Sequence, residues 1–115
     1  MQPATAPELG KGGVESWKSD PVELAPHVYN VPLENDRVRV LDIHLRPGEK
    51  VPEHSHPAHV IYVVSDCKVK FTYPGGEFEE LELKAGQTLW SDGVTHTPEN
   101  TGSTEVHALN IEFKE

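Results

Sequence analysis

The sequence predicts an all-β domain, a sandwich or closed barrel of eight or nine short strands. Three observations carry that expectation. Thirteen of the 28 Val, Ile, Leu and Phe residues are valine, against six alanines in the chain, a balance that suits pleated strands better than helices. No apolar stripe of helical period lasts three turns. Turn signals built from Gly, Pro, Asn and Asp recur at the short spacing of an antiparallel β fold. At 115 residues the chain has room for one core. Residues 1–20 form a flexible N-terminal arm in this reading and residues 21–115 the barrel domain.

The elements follow in order. The segment 1–20 holds Pro3, Pro7, Gly10, Gly12 and Gly13 without periodicity, and Trp17 is its one docking residue. Val28 to Leu33 is a first strand, confined to a sheet edge by Pro32. Arg37 to Leu45 alternates, with Leu41, Ile43 and Leu45 inward and His44 on the opposite face. Arg46-Pro47-Gly48 turns the chain into the short extended segment Val51 to His56. His59 to Val64 is nearly continuous in apolar residues, as in a strand buried on both faces. Lys68 to Tyr73 places Val69, Phe71 and Tyr73 inward, and Pro74-Gly75-Gly76 makes a hairpin turn. Phe78 to Leu83 answers it; Phe78 and Leu81 differ in parity, which predicts a bulge. Gly86 leads into Thr88 to Ser91, and Asp92-Gly93 turns the chain toward His96. Thr104 to Phe113 comes last, with Leu109, Ile111 and Phe113 on one face and His107 in step with them, so that His107 is expected inward.

Charge and cysteine content narrow the function classes. Ten Lys and Arg against nineteen Asp and Glu give a net charge of −9, a poor match for a phosphate backbone, so nucleic acid is excluded as a partner. No apolar run approaches the ~20 residues that span a bilayer, and no membrane partner is expected. The N-terminal segment lacks the apolar core of a signal peptide, and the single cysteine, Cys67, forms no intrachain disulfide. A cytoplasmic location is the expectation.

Seven histidines stand outside the charge sum. His54 and His56 lie two apart on one strand and therefore point to one side. Two imidazoles so placed can chelate one divalent metal, and His96 lies on a segment able to come opposite them. Neutral imidazole suits Fe, Ni, Zn and, less well, Mn. Tyr62 and Trp90 are candidate pocket-lining residues, with His107; core packing is the plain alternative for all three. His27 is expected in solvent, Cys67 buried and inert, and Asn100 bonded to backbone in a turn.

These residues resemble the cupin family of small double-stranded β-helix, or jelly-roll, barrels. The family's first motif runs Gly, five residues, His-x-His, three or four residues, Glu, six residues, Gly. Here Gly48 is followed by five residues and then His54-Ser55-His56. The second motif runs Gly, five residues, Pro-x-Gly, two residues, His, three residues, Asn; here Gly86 precedes Asp92-Gly93, His96 and Asn100. The stretch from Asn35 to Leu41, and the Lys84-Ala85-Gly86-Gln87 turn with Trp90, are similar to short bacterial single-domain cupins of unassigned function.

The chain also departs from the pattern. Val60 and Ile61 occupy the usual Glu slot, Cys67 replaces the closing Gly, and the second motif is one residue short and lacks its proline. The resemblance thus implies three metal ligands, His54, His56 and His96, and no carboxylate. His59, beside the empty slot, is a candidate fourth ligand, a supporting group or a residue at the barrel mouth. Three neutral imidazoles leave a divalent ion with its full charge, which favours an anionic ligand: a carboxylate, enolate or thiolate. A non-haem iron-dependent dioxygenase is one implication of the resemblance. A non-catalytic binding or sensing protein, and a simple metal-binding protein, are the alternatives. The family resemblance further implies a homodimer, for which the arm around Trp17 to Tyr29 is suited.

Overall fold

The computed structural model describes residues 20–114. It opens on a single helical turn, α1 (Pro21–Leu24). Asp20 caps this turn by accepting a hydrogen bond from the Val22 amide at 3.0 Å, and Pro21 follows where no helical N–H is needed. Asp20 also pairs with Arg39 at 3.0 Å, so it is built into the barrel and is not part of the arm. Residues 1–19, including Trp17, lie outside the described residues.

Nine strands follow: β1 (Tyr29–Glu34), β2 (Val38–Leu45), β3 (His54–His56), β4 (His59–Val63), β5 (Cys67–Thr72), β6 (Phe78–Leu83), β7 (Thr88–Ser91), β8 (Val94–Asn100) and β9 (Val106–Phe113). They form a five-stranded sheet in the order β1-β2-β9-β4-β7 and a four-stranded sheet in the order β3-β8-β5-β6. Every named pairing is antiparallel. The two sheets face each other, as in a double-stranded β-helix. Leu41, Leu45, Val51, Val63, Val69, Leu83 and Leu89 fill the space between them. Glycine makes the turns that flank the site possible. Gly48 and Gly86 have φ of 83° and 89°, a region closed to most side chains.

Most of the alternation read from the sequence holds. Leu41 and Leu45 are buried, Val69 and Tyr73 are buried, and Cys67 is buried and free. Two expectations are corrected. The ladder between β5 and β6 runs without interruption, so the bulge expected near Phe78 is absent; Phe78 points outward beneath the Lys70 ammonium. The register shift lies instead in β1 between Asn30 and Leu33, where Pro32 cannot donate to the ladder. The second correction concerns β9. Val106, Ala108, Asn110 and Glu112 are buried, while His107, Leu109, Ile111 and Phe113 form the outer face. The bulkier apolar stripe packs on the outside of the sheet, against Val40 and Val60, which pair with Ile111 on either side.

Asn100 joins three segments. Its buried amide donates to the Leu45 and Thr104 carbonyls at 2.8 and 2.9 Å and accepts from the Gly102 amide at 2.9 Å. Asn100→Ala leaves these backbone groups without partners and should lower unfolding stability by about 2–4 kcal/mol. The exposed Glu82→Ala should change it by less than about 0.5 kcal/mol. Urea denaturation of both variants checks the difference.

Candidate metal centre

The site begins with the period of a strand. His54 and His56 project to one side of β3, and His54 lies directly across from His96 on β8. On the other face of the same pair, the Ser55 and Thr95 hydroxyls share a hydrogen bond at 2.8 Å, which fixes the register. One ring nitrogen from each of His54, His56 and His96 falls within 4.8 Å of the other two. Ring centres are 4.8 Å apart for His54 and His56, 5.0 Å for His54 and His96, and 5.2 Å for His56 and His96. A filled tetrahedral nitrogen site has edges of about 3.3 Å, so the rings need only draw inward to share an ion. His59 enters from β4 with its ring centre 5.2 Å from that of His56, outside the group of three but on the same cavity.

Hydrogen bonds fix the tautomer of His54, His56 and His59. His54 Nδ1 lies 2.8 Å from the Pro52 carbonyl, and His59 Nδ1 lies 2.7 Å from the Pro57 carbonyl. A carbonyl oxygen only accepts, so in both rings Nδ1 carries the proton and Nε2 keeps a lone pair. His56 Nδ1 lies 2.6 Å from a carboxylate oxygen of Glu112 and donates to it in the same way. The Tyr29 hydroxyl, 3.3 Å from His54 Nε2, donates to that lone pair. His96 is held by stacking on Phe71, ring centres 4.8 Å apart and planes 6° from parallel.

Burial keeps these rings neutral. It pushes His54 down to about 4, holds His56 and His96 well below the ordinary imidazole value, and lowers His59. Neighbouring histidines reinforce the effect on His56 and His96. A neutral imidazole with a free lone pair is the form that binds a metal.

Glu112 was not a candidate on the sequence. It is 2 % exposed, on the inward face of β9, and burial pushes its carboxyl up, opposed by Arg39. Arg39 reaches Glu112 at 2.9 Å and Asp20 at 3.0 Å, so a chain of charge runs Asp20, Arg39, Glu112, His56 from the helix cap to the ring. A carboxylate therefore does stand behind the site, one imidazole removed from the position a metal would take. The three candidate ligands are all imidazoles, and the negative charge of Glu112 lies outside them. The available signal was the parity of Asn110 and Glu112, two polar residues in step along an otherwise apolar strand.

The cavity beside the histidines is small, about 60 Å³. Tyr29, Asn110, His56, His59 and His96 supply its polar groups, and Ile43, Ile61, Phe71 and Ala108 are among its apolar ones. The three expected pocket-lining residues are elsewhere. Tyr62 is 41 % exposed, pairs with Leu109 in register and faces outward. Trp90 pairs with Val60, packs near Phe113 and donates to Asp92 on the outer face. His107 lies on the outer face of β9, 2.9 Å from Asp42. The expectation for His107 rests on its parity with Leu109 and Ile111, and both faces of this sheet carry apolar residues. His27 is exposed and pairs with Glu49.

Removing one member of the buried ion pair leaves the other undercompensated. Glu112→Ala and Arg39→Met should each cost about 3–5 kcal/mol, and the double variant less than their sum. Equilibrium unfolding of the three variants tests this. A pH dependence also follows. With a chelator present, the unfolded chain binds protons on His54, His56, His59 and His96 near 6.5, whereas folded His54 does so only near about 4. The unfolded state thus holds more protons in that window, so stability falls as pH drops through it; Glu112, raised by burial, opposes the trend as one group against four. Urea midpoints across the window check the sign.

A family model described as a cupin domain matches residues 41–112. Among solved structures, the chain is similar to a cupin domain from Bordetella pertussis Tohama I, with 26 % identity and a TM-score of 0.70 over 76 % of this chain and 93 % of that one. A predicted oxalate decarboxylase from Thermotoga maritima is 24 % identical with a TM-score of 0.57, covering 76 % and 79 %. A polyketide cyclase from Streptomyces resistomycificus is 20 % identical with a TM-score of 0.57, covering 76 % and 64 %. At those identities the last two establish the shared fold. No curated protein matches the chain.

Proposed function

The chain belongs to the cupin family, and on that premise we propose that it holds a divalent transition metal, Fe, Ni, Zn or Mn, on His54, His56 and His96 and acts on a small anionic or thiol molecule. The observation that carries this reading is the convergence of three buried, neutral imidazoles, with Nδ1 of two of them committed to fixed acceptors. A metal held there supplies Lewis acidity and, if it is iron, the redox chemistry of an oxygenase.

The surrounding residues have separable tasks. Glu112 accepts the His56 Nδ1 proton, which orients the ring and makes its free nitrogen a better donor. His59 keeps a lone pair on the cavity side chain and serves as a fourth ligand or as the proton acceptor for a bound thiol or acid. Tyr29 stays protonated because burial raises its pKa, and once a metal takes His54 Nε2 its hydroxyl is released to donate to an anionic oxygen. Asn110 offers a further polar contact from β9. The narrow, mostly apolar cavity suits a small occupant.

The non-catalytic reading, a binding or sensing protein, draws on the mostly apolar cavity lining, which holds no Asp, Glu or Lys. A homodimer is also proposed: Leu33, Tyr62 and Phe113 are exposed on the outer face of the five-stranded sheet. No helix among the described residues is long and apolar enough to cross a membrane. The single cysteine supports a reducing, cytoplasmic setting as part of this proposal.

Metal analysis of tag-free protein should give an equivalent that His54→Ala and His96→Ala each remove, and Glu112→Gln should weaken affinity by about 10–100-fold. Substoichiometric metal that His54→Ala leaves unchanged sinks the proposal. If the metal is iron, oxygen uptake should appear with at least one of a panel of thiols, diketones and amino acids. No uptake with any of them favours the binding reading.

A further inference from the structure

A second histidine cluster lies on the opposite side of the sheet from the cavity. His44 on β2 and His107 on β9 are direct cross-strand partners, and Asp42 shares their outer face two residues before His44. The two rings stack with centres 4.0 Å apart and planes 26° from parallel. His44 Nε2 and His107 Nε2 converge on the same oxygen, Asp42 Oδ1, at 3.3 and 2.9 Å. Glu105 approaches His44 from the other end, its Oε1 3.3 Å from Nδ1.

Two features of this arrangement point to a cation. The first is a count of protons. A neutral imidazole has one N–H, yet both nitrogens of His44 face carboxylate oxygens, Glu105 at Nδ1 and Asp42 at Nε2. Carboxylates only accept, so one of the two contacts needs a positive species between the partners. With the proton of His44 given to Glu105 through Nδ1, the species between Nε2 and Asp42 is a second proton or a metal ion. His107 Nε2 aims at the same place. The second feature is spacing. Zinc takes nitrogen and oxygen donors at about 2.0–2.2 Å in tetrahedral array, which puts donor atoms roughly 3.3 Å apart. The two nitrogen-to-oxygen separations, 2.9 and 3.3 Å, are close to that edge, and all three donor atoms lie within 4.8 Å of one another.

We propose that His44, His107 and Asp42 form a second divalent-metal site, of zinc or copper type, on the outer face of the five-stranded sheet. Glu105 acts on it as a positioning residue, holding His44 by the Nδ1 proton, a role that carboxylates commonly play behind metal-ligating histidines. The three side chains are about one-third exposed, at 33 %, 30 % and 30 %, so the site opens to solvent and leaves a coordination position for water or for a donor from another molecule. Two imidazoles and one carboxylate suit zinc and copper better than magnesium or calcium, which prefer all-oxygen shells. This site shares no residue with the cavity and does not depend on the interior metal reading.

Zinc titration of tag-free, chelator-treated protein at mildly alkaline pH tests the proposal, followed by calorimetry and by the imidazole signals in NMR. Zinc should shift the His44 and His107 ring signals, and His107→Ala and Asp42→Asn should each remove one equivalent while the fold and the His54, His56 and His96 signals stay unchanged. Glu105→Gln should weaken binding without removing it. Zinc that leaves the His44 and His107 signals unmoved, or a stoichiometry unchanged in both His107→Ala and Asp42→Asn, overturns the proposal. Loss of an equivalent in His54→Ala instead reports on the interior site. If the interior site alone fails, a single equivalent remains and His107→Ala abolishes it.

Discussion

A buried carboxylate with only fixed partners is the constraint on which the rest of this barrel turns. Glu112 is almost completely removed from water, and an unpaired charge there is far more costly than the chain can sustain. It is met by Arg39 from the neighbouring strand and by His56 from the opposite sheet. Arg39 in turn is met by Asp20, which also caps the first helical turn. One polar chain therefore ties the start of the domain, the long central strands β2 and β9 and the His-x-His strand to each other. Register slippage in β2 or β9 by one residue turns Arg39 or Glu112 outward and leaves its partner stranded, so the same pair that orients His56 also specifies the sheet.

The physical logic of the histidine site follows from that. Burial alone makes the rings neutral; it does not decide which nitrogen keeps the proton. The Pro52 and Pro57 carbonyls and the Glu112 carboxylate make that choice for His54, His59 and His56. Both carbonyl acceptors belong to prolines two residues before their histidine, on short segments flanking β3. The prolines that interrupt β-structure around the first motif thus become part of the apparatus that aims the rings. The outer His44 and His107 pair has no such burial. Its organisation comes from stacking and from two carboxylates, which makes it a surface cluster of a different physical kind.

Much of the molecule was legible in the sequence, and the exceptions have one physical origin. Period-two alternation placed His54 beside His56, Leu41 with Leu45, and Val69 with Tyr73, because in those strands one face is clearly apolar or clearly functional. Turn chemistry at Gly48 and Gly86 marked the strand ends correctly. In β9 both faces carry a plausible core stripe. Leu109, Ile111 and Phe113 are the bulkier set, and bulk argued for the interior, yet the interior there is occupied by small Ala108 and by the polar Asn110 and Glu112. Space near the site must be kept free and polar, so local hydrophobicity points the wrong way where the function lies. The same inversion misplaced His107. Nor did the empty Glu slot at Val60 and Ile61 mean that a carboxylate was lacking. A negative charge returns from a strand some fifty residues later, which no local motif reveals.

Fixed acceptors hold His54, His56 and His59 as neutral, Nδ1-protonated rings with Nε2 unprotonated. Long-range proton–nitrogen correlation NMR of ring-labelled, chelator-treated protein at neutral pH reads this directly. A protonated Nδ1 and an unprotonated Nε2 are expected for His54, His56 and His59, with a change of tautomer or ring mobility at His56 alone in Glu112→Gln. Imidazolium signatures, or Nε2-protonated rings at His54 and His56, would contradict this assignment.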